Sequence, residues 1–105
     1  MAQFTVYENT NPATRTALPL LLNVQSNLVR DLNTRVVVPL APAAEMQEQR
    51  LRLLTPLFEI NGEQYLMLTP QMAGIPTRLL GSAVADLSIQ RDEIIAALDL
   101  LITGI

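Results

Sequence analysis

The sequence predicts a mainly β domain closed by one C-terminal α-helix. Three observations carry this. Arg35-Val36-Val37-Val38-Pro39 is a run of β-branched residues. Two strand-like segments flank Asn61-Gly62, the residue pair that best suits a tight hairpin turn. Apolar residues recur at about 100° per residue from Ser88 to Ile102. The 105 residues suffice for a single domain over 1–105 and are too few for two well-packed ones.

Gln3 to Tyr7 alternates and is rich in β-formers, so it reads as the first strand. Glu8 to Thr16 is polar, carries Asn11-Pro12, and reads as a mobile loop. Leu18 to Val24 fits a strand if Pro19 lies at its start or on an edge. Gln25 to Thr34 reads as a turn-rich connection. Three consecutive valines in Arg35–Pro39 imply a strand buried on both faces, ended by Pro39 and Pro42. Ala43 to Leu54 is open between a short helix and a long loop. Leu57 to Ile60 and Gln64 to Thr69 form the hairpin, with Glu63 in or beside its turn. Pro70 and Gly74-Ile75-Pro76 mark a further loop, and Thr77 to Leu80 a last short strand closed by Gly81. Ser88 is the expected N-cap of the helix, with Asp92 and Glu93 near its positive end and Gly104 at its C-terminus. Ile94, Ala97, Leu98 and Leu101 fall on one arc, the expected core face. Ile95 and Ile102 lie on its flank beside Asp99 and Thr103.

Composition narrows the chemistry. Half the residues are apolar and 16% are charged, which favours a folded globule over disorder. With only 4% aromatics and no Trp, the core must be aliphatic. Cys and His are both absent, which removes thiolate and imidazole zinc sites and the Ser-His and Cys-His nucleophile systems. No metal or organic cofactor is expected. The net charge is −3, and the seven basic residues, all Arg, are scattered along the chain. Direct nucleic-acid binding usually needs a basic patch, so a protein partner is the better expectation. No stretch approaches the roughly 20 apolar residues that span a bilayer, and no signal peptide is legible, so the expected location is cytoplasmic.

No Gly-rich phosphate loop, nucleophile elbow or metal-ligand cluster is present. The pairs Asp92-Glu93 and Glu45/Glu48 read as solvated acids rather than a catalytic couple. The C-terminal run Leu100-Leu101-Ile102-Thr103-Gly104-Ile105 is apolar where termini are normally polar. Residues alone leave two readings open: a last turn docked into the core, which common capping contacts favour, or an exposed contact surface.

Several segments resemble the CcdB toxins of bacterial toxin–antitoxin modules, in order and at nearly constant spacing. Gln3-Phe4-Thr5-Val6-Tyr7 is similar to the family's opening strand, and Val24-Gln25-Ser26 to the end of its second. Arg35 with the β-formers before Pro39-Leu40 resembles its central strand. Met72-Ala73-Gly74-Ile75-Pro76 is similar to its Met-Ala-Ser-Val-Pro segment. Val84-Ala85-Asp86-Leu87-Ser88 resembles the approach to its helix, and both end in Gly-Ile. The likeness covers essentially the whole chain. Each motif alone is weak; the ordered set is specific.

The resemblance implies an SH3-like barrel of the CcdB/MazF/Kid type, a homodimer, and a toxin that is not an enzyme. It implies binding to the dimerisation region of DNA gyrase A, trapping of gyrase on cleaved DNA, and neutralisation by a CcdA-like antitoxin. By the family's pattern the gyrase-binding residues are Ser26, Leu28 and Val29, then Asp99, Ile102, Thr103, Gly104 and Ile105. It places Asp99, Ile102 and Thr103 toward gyrase rather than the core. Two departures stand out. A family Trp that stacks on a gyrase arginine is replaced here by Thr103, and the loop between Tyr7 and Leu18 is longer. The family's antitoxin docks near that loop and the segment after the central strand, here Glu8–Thr16 and Ala41–Arg50. A MazF/Kid-like endoribonuclease shares the expected fold and stays open as an alternative, as does a degenerate copy that only binds antitoxin.

Overall fold

The computed structural model describes residues 2–29, 33–45 and 53–104. Among the described residues, seven strands form one antiparallel sheet: β1 (Thr5–Asn9), β2 (Leu20–Asn23), β3 (Thr34–Pro42), β4 (Leu57–Ile60), β5 (Glu63–Met67), β6 (Ala73–Pro76) and β7 (Leu80–Asp86). The helix α1 spans Arg91–Thr103. Strand order is β4-β5-β3-β2-β1-β7, with β6 also paired to β3.

The nine-residue β3 organises the sheet because it serves two partners along one edge. Its first half, Thr34–Val37, pairs β6, and its last three residues, Leu40–Pro42, pair β5. Alternation along β3 then feeds both faces. Val36, Val38 and Leu40 join a core shared with Val6, Leu22, Phe58, Met67 and, from α1, Ile94 and Ala97. Ala41, on the opposite face, packs with Leu66 and Leu68 in a smaller cluster. One core reached from five strands and the helix requires a sheet curled into a half-barrel, consistent with an SH3-like barrel. Each fully buried aliphatic side chain there contributes about 1.5–3 kcal/mol by leaving water.

The hairpin forms as expected. Asn61 and Gly62 both take positive φ, 53° and 84°, as a type I′ two-residue turn demands. Glu63 already belongs to β5.

Several expectations are corrected. Pro39 does not end β3, which runs on to Pro42. The Pro39 carbonyl accepts Leu68 N–H at 3.0 Å, so its nitrogen faces the same edge, where the partner changes from β6 to β5. A missing N–H does least harm at such a break. Phe4 is not in β1; it has φ 70° and kinks the chain into the strand, which extends to Asn9. The 70–76 segment holds β6 rather than only a loop. Thr77–Leu79 is a 3₁₀ turn, and the last strand is Leu80–Asp86. Ser88 does not cap α1. It opens a 3₁₀ turn, Ser88–Gln90, and the helix starts after Gln90 without a side-chain cap.

Glu8–Thr16 is also more ordered than a mobile loop. The Asn9 amide donates to Thr14 Oγ1 (3.0 Å) and the Leu18 carbonyl (2.8 Å), and its Oδ1 accepts Asn11 N–H. Thr10 bonds the Leu79 carbonyl through both its N–H and its hydroxyl. Ala43–Glu45 is a 3₁₀ turn, while residues 46–52 lie outside the described residues. No helix among the described residues is long and apolar enough to cross a membrane.

Candidate functional site

The first group of site residues sits on the turn after β2. Asn23 ends β2 fully buried, and its side chain donates to the Ala2 carbonyl and accepts Gln25 N–H. Gln25 then acts as a clamp. Its Oε1 accepts Val36 N–H at 3.1 Å, and its Nε2 donates to the Val29 carbonyl at 2.8 Å. Within the turn Val29 N–H reaches the Ser26 carbonyl (3.0 Å), and Leu28 N–H reaches Ser26 Oγ (3.1 Å). Asn27 Oδ1 accepts Gln3 N–H at 2.7 Å. Ser26 thus has an internal role, holding the turn by side chain and backbone. The residues it positions are Leu28, 89% exposed, and Val29, 46% exposed. A turn held at this many points presents an apolar side chain to water with little conformational freedom left to lose on binding.

The second group lies at the end of α1. Ile94 and Ala97 are buried, and Ile95 and Leu98 pack on the core. Leu101, expected on the core face, is 37% exposed and belongs to no core cluster. The helix outruns the core by about one turn, and this overhang carries exposed Asp99, Ile102, Thr103 and Gly104. Ile102 is 71% exposed. Thr103 Oγ1 donates to the Asp99 carbonyl at 2.6 Å. Gly104, at φ 73°, donates its N–H to the Leu100 carbonyl at 3.0 Å. This is a left-handed helix cap, for which glycine is favoured by its conformation; a Cβ there would meet nothing within 4 Å. Ile105 lies outside the described residues.

The two groups occupy separate elements. Asn27 in the first group bonds to Gln3 and the neighbouring Gln25 to Val36, whereas the Thr103 hydroxyl and the Gly104 N–H bond back to carbonyls of the helix. Leu87 N–H donates to the Phe4 carbonyl at 2.9 Å, so the turn neighbours the start of the helical segment. Thirteen residues at 1.5 Å each carry Thr103 about 20 Å from that start.

Sequence reasoning missed two exposed apolar side chains, Ile89 (90%) and Leu53 (74%). Ile89 looked like part of a capped helix, whereas it stands on the 3₁₀ turn before it. Asp86 Oδ1 accepts Ser88 N–H at 2.8 Å and anchors that turn. The same backbone bond, with help from the Ser88 hydroxyl, lowers the Asp86 pKa below its ordinary value.

On the outer sheet face, a groove of about 190 Å³ is lined by Leu18, Leu21, Val37, Pro39, Ile75 and Leu79, with Asn9, Asn11 and Thr14 beside them. Its lining is apolar or amide and hydroxyl, with no acid, base or nucleophile pair. Among the described residues no three His, Cys, Asp or Glu stand together as a metal site. What the exposed turn and helix end can do is make contacts. Residues 3–104 match the family described as CcdB protein.

Proposed function

The chain belongs to the CcdB family, and on that premise we propose that it kills by holding DNA gyrase on cleaved DNA. The family comprises toxins of toxin–antitoxin modules that poison gyrase, not catalytic enzymes. In this reading a homodimer acts in the cytoplasm on the dimerisation region of gyrase A. Contacts come from Leu28 and Val29, positioned by Ser26, and from Asp99, Ile102, Thr103, Gly104 and Ile105. The supporting observation is the exposure of Leu28 and Ile102, 89% and 71%, on backbones fixed by hydrogen bonds. Interfaces of this kind draw most of their energy from a few apolar anchors that become fully desolvated. No bond of substrate is broken by the toxin. Trapping requires only that the toxin bind the cleaved-DNA form of gyrase more tightly than other forms. Thr103 supplies no aromatic face for a gyrase arginine, so the aliphatic anchors carry more of the affinity.

A CcdA-like antitoxin would neutralise it by wrapping the rim formed by the Glu8–Thr16 and Ala41–Arg50 segments. A disordered peptide suits such a surface because it orders only on binding. Ala41 itself is buried in β3, so contact there falls to its neighbours. Unchanged antitoxin affinity after exposed residues in both segments are substituted would refute the docking rim.

The test is to incubate purified protein with gyrase, ATP and supercoiled plasmid, and separately with RNA alone. Gyrase-dependent linear DNA supports the poison. RNA fragments without gyrase would replace it with a ribonuclease. Expression in sensitive and gyrase-resistant hosts separates an active toxin, lethal only to the first, from a copy that is harmless to both.

A further inference from the structure

β2 and β7 flank β1 and both run antiparallel to it. Both therefore end at the side of the sheet where β1 begins. Adjacent strands lie about 4.8 Å apart, so these two ends stand about 10 Å from each other. The 24–29 turn continues β2, and the Leu87–Gln90 segment continues β7. Each is tied to the start of β1, by the Gln3–Asn27 bond at 2.7 Å and the Phe4–Leu87 bond at 2.9 Å. The two large apolar side chains most exposed among the described residues, Ile89 at 90% and Leu28 at 89%, stand on these two segments. Val29, 46% exposed, adds to the same end. A lone exposed aliphatic residue is ordinary, but several gathered at one end of a sheet on hydrogen-bonded turns mark a contact surface.

Packing does not explain Ile89. Its neighbour Leu87 is buried in the core and Ile94 follows it there, while Ile89 itself stays in water. Its charged neighbours in sequence are three exposed acids, Asp86, Asp92 and Glu93, and one exposed base, Arg91. A surface with this apolar centre and a net negative surround disfavours nucleic acid and favours a protein face with cationic edges. An enzyme that grips DNA carries such positive charge along its DNA path.

We propose that Ile89 is a further anchor of the gyrase-binding surface, acting with Leu28 on an apolar recess with a cationic rim on gyrase A. This rests on the function proposed above and adds to it a third contact element, the 3₁₀ turn before α1.

The experiment measures binding of the full-length protein to purified gyrase A by calorimetry. Wild type is compared with Ile89→Ser and Ile89→Met, alongside thermal melts and sedimentation. The expected result is a rise in Kd of about tenfold or more for Ile89→Ser, recovery to within about threefold for Ile89→Met, and unchanged melts and mass. Wild-type affinity in Ile89→Ser would overturn the inference while the proposed function stands. Normal gyrase binding with loss of dimer mass would assign the patch to a second copy of this chain and overturn it equally. A wild type that does not bind gyrase A removes the proposed function, and this inference with it. Should Ile89→Ser fold poorly, hydrogen exchange on the wild-type complex decides. Slowed exchange of the Ile89 and Gln90 amides on gyrase binding supports the anchor, and unchanged exchange overturns it.

Discussion

Replacing Ile102 with alanine separates binding from folding at the helix end. Burying a whole isoleucine side chain contributes about 1.5–3 kcal/mol. With 71% of Ile102 still exposed in the free chain, about 1–2 kcal/mol remains for a partner to collect. Losing that raises Kd about 5- to 30-fold, since about 1.4 kcal/mol is tenfold. Stability should hardly change. Less than a third of the residue is covered, and alanine is the better helix former by a few tenths of a kcal/mol. The melt should stay within about 4 °C, the shift for about 0.5 kcal/mol in a chain of this size. Alanine is the cleaner test; Ile102→Asp also sets a negative charge against the negative end of the helix dipole. Calorimetry against purified gyrase A measures the first quantity and differential scanning calorimetry the second. Gyrase affinity within twofold of wild type would refute the reasoning. So would a loss of affinity accompanied by a melt lowered by more than about 8 °C, because Ile102 would then be a folding residue.

Three further outcomes follow from the same structure. Deleting Gly104 and Ile105 removes the 3.0 Å cap bond to Leu100 at a cost of about 1 kcal/mol or less; the truncated chain should melt within about 8 °C of the full chain and keep its antitoxin binding but not kill, as an expression assay at matched abundance would show. Asp86→Asn tests the anchored turn: the depressed native pKa of Asp86 means its charge stabilises the fold above the unfolded value of 3.8 and ceases to as pH falls through the native pKa, so wild type and variant should differ at pH 6 and converge well below pH 3.8 in melts run across that range. Leu22→Ala, at a site with no exposure, should cost about 2.7–5 kcal/mol by urea unfolding, and a loss under about 1 kcal/mol would mean the shared core is misassigned.

The elements legible in the sequence were those whose cause is local. Asn61-Gly62 dictates a positive-φ turn wherever it sits between strand formers, and the hairpin formed around it. The valines of β3 signalled burial on both faces and received it. What stayed hidden depends on partners distant in sequence. Gly81-Ser82-Ala83 has weak strand propensity, yet β7 forms because β1 pairs with it through two register shifts. Gly81 shows how close that approach is: a Cβ there would lie 2.9 Å from Thr10 Cγ2. Pro39 looked like a strand end because nothing local reveals that β3 changes partners there. Ser88 looked like a cap because a 3₁₀ turn and a first helical turn share the same polar residues.

The candidate site rests on a different footing. Its residues came from an ordered resemblance, and the exposure of Leu28 and Ile102 is what recommends them as contact residues. Helical periodicity placed Leu101 in the core, but the core ends near Leu98, and the last turn overhangs it. An apolar overhang has no folding role to explain it, which weakens the reading of the tail as a docked cap. The Ser26–Val29 turn argues the same way from the opposite direction. Gln25, Asn23 and Asn27 spend their polar groups on fixing a loop whose exposed product is Leu28. A loop needed only to join β2 to β3 would have little use for so many bonds around an exposed leucine. Rigid presentation lowers the ordering entropy that a partner must otherwise overcome. A toxin that acts by binding, as proposed here, depends on residence time, and residence time is where such preorganisation is felt.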